Sequence, residues 1–260
     1  MKKYIALLFI FLIILIDCAT SPLGRKRVLL VKDDEINQMG IKSFAEMKQK
    51  TPIEKDPSIN RYVKCIANSV LGVIHDDTGV QSWEIVVFKD DTANAFALPG
   101  GKIGVHTGIL PIAKTKGQLA AVIGHEVGHV IARHGAERIS DQMIEEKGIA
   151  VIGSVTESKT VAGALGLGAQ YGFMLPFSRK HESEADLLGL EYMSEAGFNP
   201  EESIKLWQNM EAAGGSGTPE ILSTHPSGET RIQNLKDHMD ESLKKYKQAQ
   251  ANGKIPNCSL

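Results

Sequence analysis

The chain has 260 residues, 42% of them hydrophobic and 23% charged, and its formal net charge is −2. That length is enough for one large domain or two small ones around a sizeable core. A charge balance near zero, with no basic stripe interleaved with aromatics, argues against nucleic acid as a partner.

The first residues are not those of a globular core. Lys2 and Lys3 precede an uncharged apolar run from Tyr4 to Ile16, too short to span a bilayer comfortably as a helix. A positive start followed by an apolar stretch is the shape of a secretory signal. Asp17 and Cys18 follow at once, and "LIDC" resembles a bacterial lipoprotein cleavage site. The reading is a signal peptide over 1–17, a lipidated Cys18 with a spacer over 18–30, and a folded domain over 31–260. An ordinary secretory signal or an uncleaved anchor is the alternative. The lipoprotein reading implies a periplasm-facing protein of the bacterial cell envelope, held to the membrane through its N-terminal lipid. Ala19 is not acidic, which favours the outer membrane over the inner. With Cys18 lipidated, Cys65 and Cys258 remain, either as a pair in an oxidising compartment or as two separate thiols.

From Ile59 onward, Tyr62, Val63, Ile66, Ala67, Val70, Leu71 and Ile74 recur at a helical period with one buried face. "EIVVF" at 84–88 reads as a strand. "NAFALPGGKIGVHTG" at 94–108 reads as two short strands around a turn at Pro99-Gly100-Gly101. Gln118 to Arg133 is apolar and helical, with Gly135 placed to help end it. Residues 148–175 are rich in glycine and alanine and are interrupted by Glu157, Ser158 and Lys159. They read as a packed or mobile helical excursion rather than a membrane-inserting loop, because no uninterrupted apolar stretch reaches about 18 residues. A helix is predicted from near Ser178 to about Glu195, with Gly197 as its stop. Asn199-Pro200-Glu201-Glu202 starts another, "AAGGSGTPE" is a flexible loop, and a polar amphipathic helix runs from about Gly228 to Lys247. Strands that come early and helices that follow indicate an α+β fold.

Within the apolar helix, "AVIGHEVGHVIARHG" places His125 and His129 four residues apart, hence on one face and about one turn from each other. Glu126 lies one step round. This is the H-E-x-x-H arrangement of zinc peptidases, with two ligands and a general base. Buried polar groups are tolerable there because a metal ion satisfies them. His134 is one residue short of the metzincin spacing and reads as a surface histidine. A third ligand has to come from elsewhere, since catalytic zinc usually has three protein ligands and one open position. "SRKHESEADLLGLEYM" is the candidate segment. Its Glu182 and Asp186 share a face, Glu184 points elsewhere, and Leu187, Leu188, Leu190 and Tyr192 show that the helix also packs inward. His181 is treated as bland.

"HEVGH" followed by "SRKHESEAD" resembles the M48 family of zinc peptidases, over roughly residues 60–235, and within it the small lipoprotein or periplasmic members. "NAFALPGGKIGVHTGIL" and "STHPSGETRI" are similar to family segments as well. The resemblance implies a mostly helical, zincin-like α+β domain with a small antiparallel sheet beside the active-site helix. It implies one Zn2+ held by His125, His129 and Glu182, with Glu126 as general base. It also implies that Asn94, Ala95, Phe96 and Ala97 belong to an edge strand that binds an extended substrate. Asp186 is expected to accept a hydrogen bond from the outer nitrogen of a ligand histidine. His225, in a His-Pro pair on a loop, is expected to block the open zinc position or to stabilise an oxyanion. Arg231 would orient that loop or contact the transition state.

The function expected is hydrolysis of peptide bonds in unfolded or misassembled cell-envelope proteins by a metal-activated water. The rival is a non-catalytic or latent zinc-containing chaperone or assembly factor. An intact Glu126 favours the enzyme, since a purely structural zinc site needs no base.

Overall fold

The computed structural model describes residues 18–152, 177–213, 221, 223, 225 and 229–260. The expected signal segment, most of the excursion at 148–175 and the loop at 214–220 lie outside these residues. Among the described residues no helix is long and apolar enough to cross a membrane.

The stretch expected to be a spacer is a docked hairpin. β1 (Cys18–Thr20) pairs antiparallel with β2 (Lys26–Val28). Arg27 is buried and donates to the carbonyl of Ala132, and the N–H of Leu30 donates to Ser140 Oγ at 2.8 Å. α1 (Asp33–Lys50) follows, an element the periodicity does not announce. α2 (Pro57–Leu71) starts at Asp56, whose carboxylate accepts from the N–H groups of Ser58 and Ile59, with proline in the first turn where a missing N–H costs nothing.

β3 (Glu84–Phe88), β4 (Ala95–Leu98) and β5 (Lys102–His106) form a three-stranded sheet in the order β3-β5-β4. β3 runs parallel to β5 and β4 antiparallel to it, so the sheet is mixed rather than wholly antiparallel, and β4 is an edge. Gly40 of α1 sits directly on the carbonyl of Pro99, where any side chain would collide. That contact docks α1 on the β4–β5 turn.

Among the described residues, α3 (Lys116–Ile131) is followed by α4 (His134–Ile152), α5 (Arg179–Glu195), α6 (Glu201–Ala213), α7 (Glu229–Asp237) and α8 (Met239–Ala251). α3 is the central rod, buried from Gly117 to Ile131. It ends at Ile131 rather than at Gly135, because Arg133 takes a left-handed conformation (φ 53°) and a new helix begins at His134. The Arg133 guanidinium, at 2.8 and 2.9 Å from Asp33 and 2.9 Å from Asp77, holds that turn. The C-terminal helix expected as one rod is two, separated at His238.

α5 lies across α3 at two glycines. A Cβ on Gly189 would come within 2.7 Å of the His125 nitrogen, and one on Gly124 within 3.0 Å of the Gly189 carbonyl. Of the two possibilities for the cysteines, the pair is the one found: Cys65 in α2 bonds Cys258 in the tail across 193 residues of sequence, with Cα atoms 5.7 Å apart.

Candidate metal centre

The α3–α5 crossing puts Glu182 over the one-turn pair His125 and His129, and His225 joins them from the segment before α7. One donor atom from each of these four buried residues lies within 4.8 Å of the others. His125 Nε2 is 3.1 Å from His129 Nε2 and 3.2 Å from His225 Nδ1. Glu182 Oε1 is 2.9 Å from His225 Nδ1 and 3.4 Å from His129 Nε2.

The outer ring nitrogens face other partners. His125 Nδ1 is 3.0 Å from Asp186 Oδ1, and His129 Nδ1 is 2.9 Å from His134 Nδ1. Rings that keep their proton on the outer nitrogen aim their inner lone pairs at one point, together with a carboxylate. Such a convergence in a buried place repels itself unless a cation lies between the donors, so the residues present fit a metal ion. Nitrogen and oxygen donors of this kind suit a borderline divalent ion.

The ionisable groups bear the marks of this crowding. Burial works against the charge on His125, but the nearby carboxylates of Asp186 and Glu182 push its pKa up to about 9. Burial holds His129 well below the ordinary imidazole value. Burial also opposes ionisation of Glu182, yet the close imidazoles of His125, His129 and His225 hold it far below the usual carboxylate range. Glu126 is raised by burial, partly offset by the charge of His225. Its Oε1 has no hydrogen-bond partner among the described residues.

Arg231 is buried behind the cluster rather than in the cleft. It donates to both oxygens of Asp186 at 2.6 and 2.7 Å, approaches Glu182 Oε2 at 2.7 Å, and lies 4.0 Å over the Trp207 ring. Its charge helps to hold Asp186 ionised against burial.

A cleft runs past Glu126 and His129 along β4. The N–H of His106 donates to the carbonyl of Asn94, so paired positions fall at Asn94, Phe96 and Leu98. The N–H and C=O groups of Ala95 and Ala97 therefore face away from β5. The Phe96 ring turns to the other face and packs with Phe44 and Phe88, so only its backbone frames the cleft.

Two expectations, for His134 and His181, are corrected by depth. His134 is not a surface histidine but wholly buried beside His129. Glu184 points away from the Glu182–Asp186 face, as its spacing implies, and is buried there with Oε2 at 3.1 Å from His134 Nε2. His181 is not bland, since it is buried with Nε2 at 3.3 Å from Glu137. A signal for these was present. "HGAE" and "HESE" are both H-x-x-E on facing helices, and they pair crosswise.

Residues 55–239 match the model of Peptidase family M48. The mitochondrial metalloendopeptidase OMA1 of Schizosaccharomyces pombe is 41% identical over 163 residues, covering 62% of this chain and 48% of the relative. The protein of the same name from Saccharomyces cerevisiae is 39% identical over 204 residues, covering 75% and 54%. The beta-barrel assembly-enhancing protease of Escherichia coli is 26% identical over 215 residues, covering 78% and 44%. The chain spans about half the length of these curated relatives. The placement at the bacterial cell envelope, with the outer membrane favoured, is overturned by the two more similar of these, which are named as mitochondrial proteins. With the family model covering most of the chain and the H-E-x-x-H pair meeting Glu182 in space, the chain belongs to peptidase family M48.

Proposed function

We propose that this chain is a zinc-dependent endopeptidase acting on unfolded or misassembled proteins. The observation that carries the reading is the meeting of His125, His129 and Glu182 beside Glu126 at the open edge of β4. His125, His129 and Glu182 would hold a zinc ion, which would supply Lewis-acid chemistry to a peptide carbonyl and to water at the site. Glu126 takes the proton of the attacking water and passes it to the leaving amine. Its burial raises its basicity above that of an ordinary carboxylate, which suits a general base. Asp186, held by Arg231, keeps the proton of His125 on the outer nitrogen. The outward groups of Ala95 and Ala97, in the strand that begins after Asn94, pair with the backbone of an extended substrate, while Phe96 anchors the strand from its other face. Backbone pairing reads little of the substrate's sequence, which supports unfolded chains as the substrate class.

One observation favours a latent form of the same enzyme. His225 brings a fourth donor among the ligands, 3.2 Å from His125 Nε2, where a substrate carbonyl has to approach. His225 withdraws when substrate enters.

The test is metal content together with casein cleavage, with and without a chelator. The expected result is cleavage that the chelator abolishes, and a Glu126→Gln variant that keeps its metal but loses about 100- to 10,000-fold in rate. His225→Ala is expected to cleave faster with metal retained. Absence of chelator-sensitive cleavage in the wild type overturns the enzyme and leaves the chaperone or assembly-factor reading, and full cleavage by Glu126→Gln removes Glu126 as the base. Unchanged cleavage in His225→Ala removes latency.

A further inference from the structure

We infer that Arg25, Glu184 and His134 form a positioning relay that sets the proton on His129 and aims its inner nitrogen at the metal. On this inference the N-terminal hairpin, outside the residues that the family model covers, is a working part of the metal centre. The inference rests on the metal-centre reading above.

The two histidines of α3 are supported differently. His125 meets a carboxylate directly, whereas His129 meets another imidazole, Nδ1 to Nδ1 at 2.9 Å. Two imidazole nitrogens at that distance share one proton, and the far end of His134 decides which ring owns it. There His134 Nε2 is 3.1 Å from Glu184 Oε2. An ionised carboxylate only accepts, so the His134 proton sits on Nε2 and its Nδ1 is left as an acceptor. His129 must then donate from Nδ1, which leaves the lone pair on Nε2 facing Glu182 and His125. If His134 were free to carry its proton on Nδ1, His129 would have to carry its own on Nε2 and could not serve as a ligand.

The hairpin holds this arrangement in place. Arg25 lies in the β1–β2 loop, and its Nε donates to Glu184 Oε2 at 3.0 Å. Its two terminal nitrogens donate to Glu137 at 2.5 and 2.6 Å. Glu137 also takes His181, whose ring stacks on that of His134 with centroids 4.5 Å apart. His134 is wholly buried beneath that stack, so its ring cannot turn over without opening the packing. Arg27, donating to the carbonyl of Ala132 at the end of α3, fastens the hairpin to the same helix.

Co2+ binding to the full chain tests the relay, read as affinity against a competing chelator and as the visible absorption of the bound ion. His134→Phe is expected to weaken binding by about 10- to 100-fold and to alter the absorption, the usual effect of losing a ligand's outer partner. His134→Gln is expected to recover most of the affinity, because its amide oxygen can accept from His129 while its amide nitrogen donates to Glu184. Arg25→Ala, at a partly exposed position, is expected to weaken binding about tenfold with the far-ultraviolet circular dichroism unchanged. Wild-type affinity in both His134→Phe and Arg25→Ala overturns the relay, as does a Gln variant no better than Phe. Should His134→Phe fail to fold, Arg25→Ala and His134→Gln decide on the same readouts. A wild-type chain that takes up no Co2+ removes the metal centre itself, and the relay with it.

Discussion

Around the metal centre, residues are sorted by what their burial demands. Glu137 is an example outside the ligand set. Burial works against its charge, but His181 and Arg25 hold its pKa down from 4.5 to about 2. A carboxylate depressed on folding contributes stability that is present above its unfolded value and lost as pH falls toward its folded one. The melting temperature is therefore expected to drop between about pH 4.5 and about pH 2, and Glu137→Gln is expected to flatten that drop. Calorimetry across this window checks it; identical slopes in wild type and variant would show that Glu137 gains nothing on folding. At this scale the sequence is legible where spacing alone settles a question. His125 and His129 share a face because four residues make about one helical turn. It is not legible where the answer is depth: nothing in the spacing of His134 says that a second helix and a hairpin will cover it.

Between elements, two glycines do what no side chain could. Gly124 and Gly189 let α3 and α5 touch backbone to backbone, which brings Glu182 within reach of His125 and His129. Gly189→Ala forces the rods apart or distorts them, at a cost of about 1–3 kcal/mol in unfolding free energy. Metal affinity is expected to fall with it, which separates this change from ordinary overpacking elsewhere. Urea unfolding and metal titration on one sample check both, and a variant of full stability and affinity would mean that the crossing tolerates a methyl group. Rods with a strong apolar period, such as α2, and rods with clear caps, such as α5 behind Ser178, are readable in advance. α1 is not, because its buried positions include Asn37, Gly40 and Ser43 beside only Ile36 and Phe44, so its inward face has no apolar stripe. Asn37 is there for polar reasons: it accepts from the N–H of Gly100 at 2.7 Å and donates to the carbonyl of Thr78 at 2.9 Å.

Across the whole molecule, parts from outside the family match close on its core. The hairpin docks at one end of α3. At the other end of the chain the tail after α8 packs against Gly197 and is bonded through Cys258 to Cys65. Closing a loop of 193 residues restrains the unfolded chain by on the order of 5 kcal/mol in the chain-entropy account. Replacing both cysteines by serine is expected to lower the urea midpoint accordingly, and reductant is expected to lower that of the wild type to match. A midpoint indifferent to both would mean that the tail adds nothing to stability.

The same bond makes the polypeptide between Cys65 and Cys258 a closed ring that contains both rods of the candidate metal centre. A single backbone cut inside that ring releases no fragment. Such a molecule keeps its mass but for one added water, migrates as one band until a thiol is added, and only then separates into two pieces.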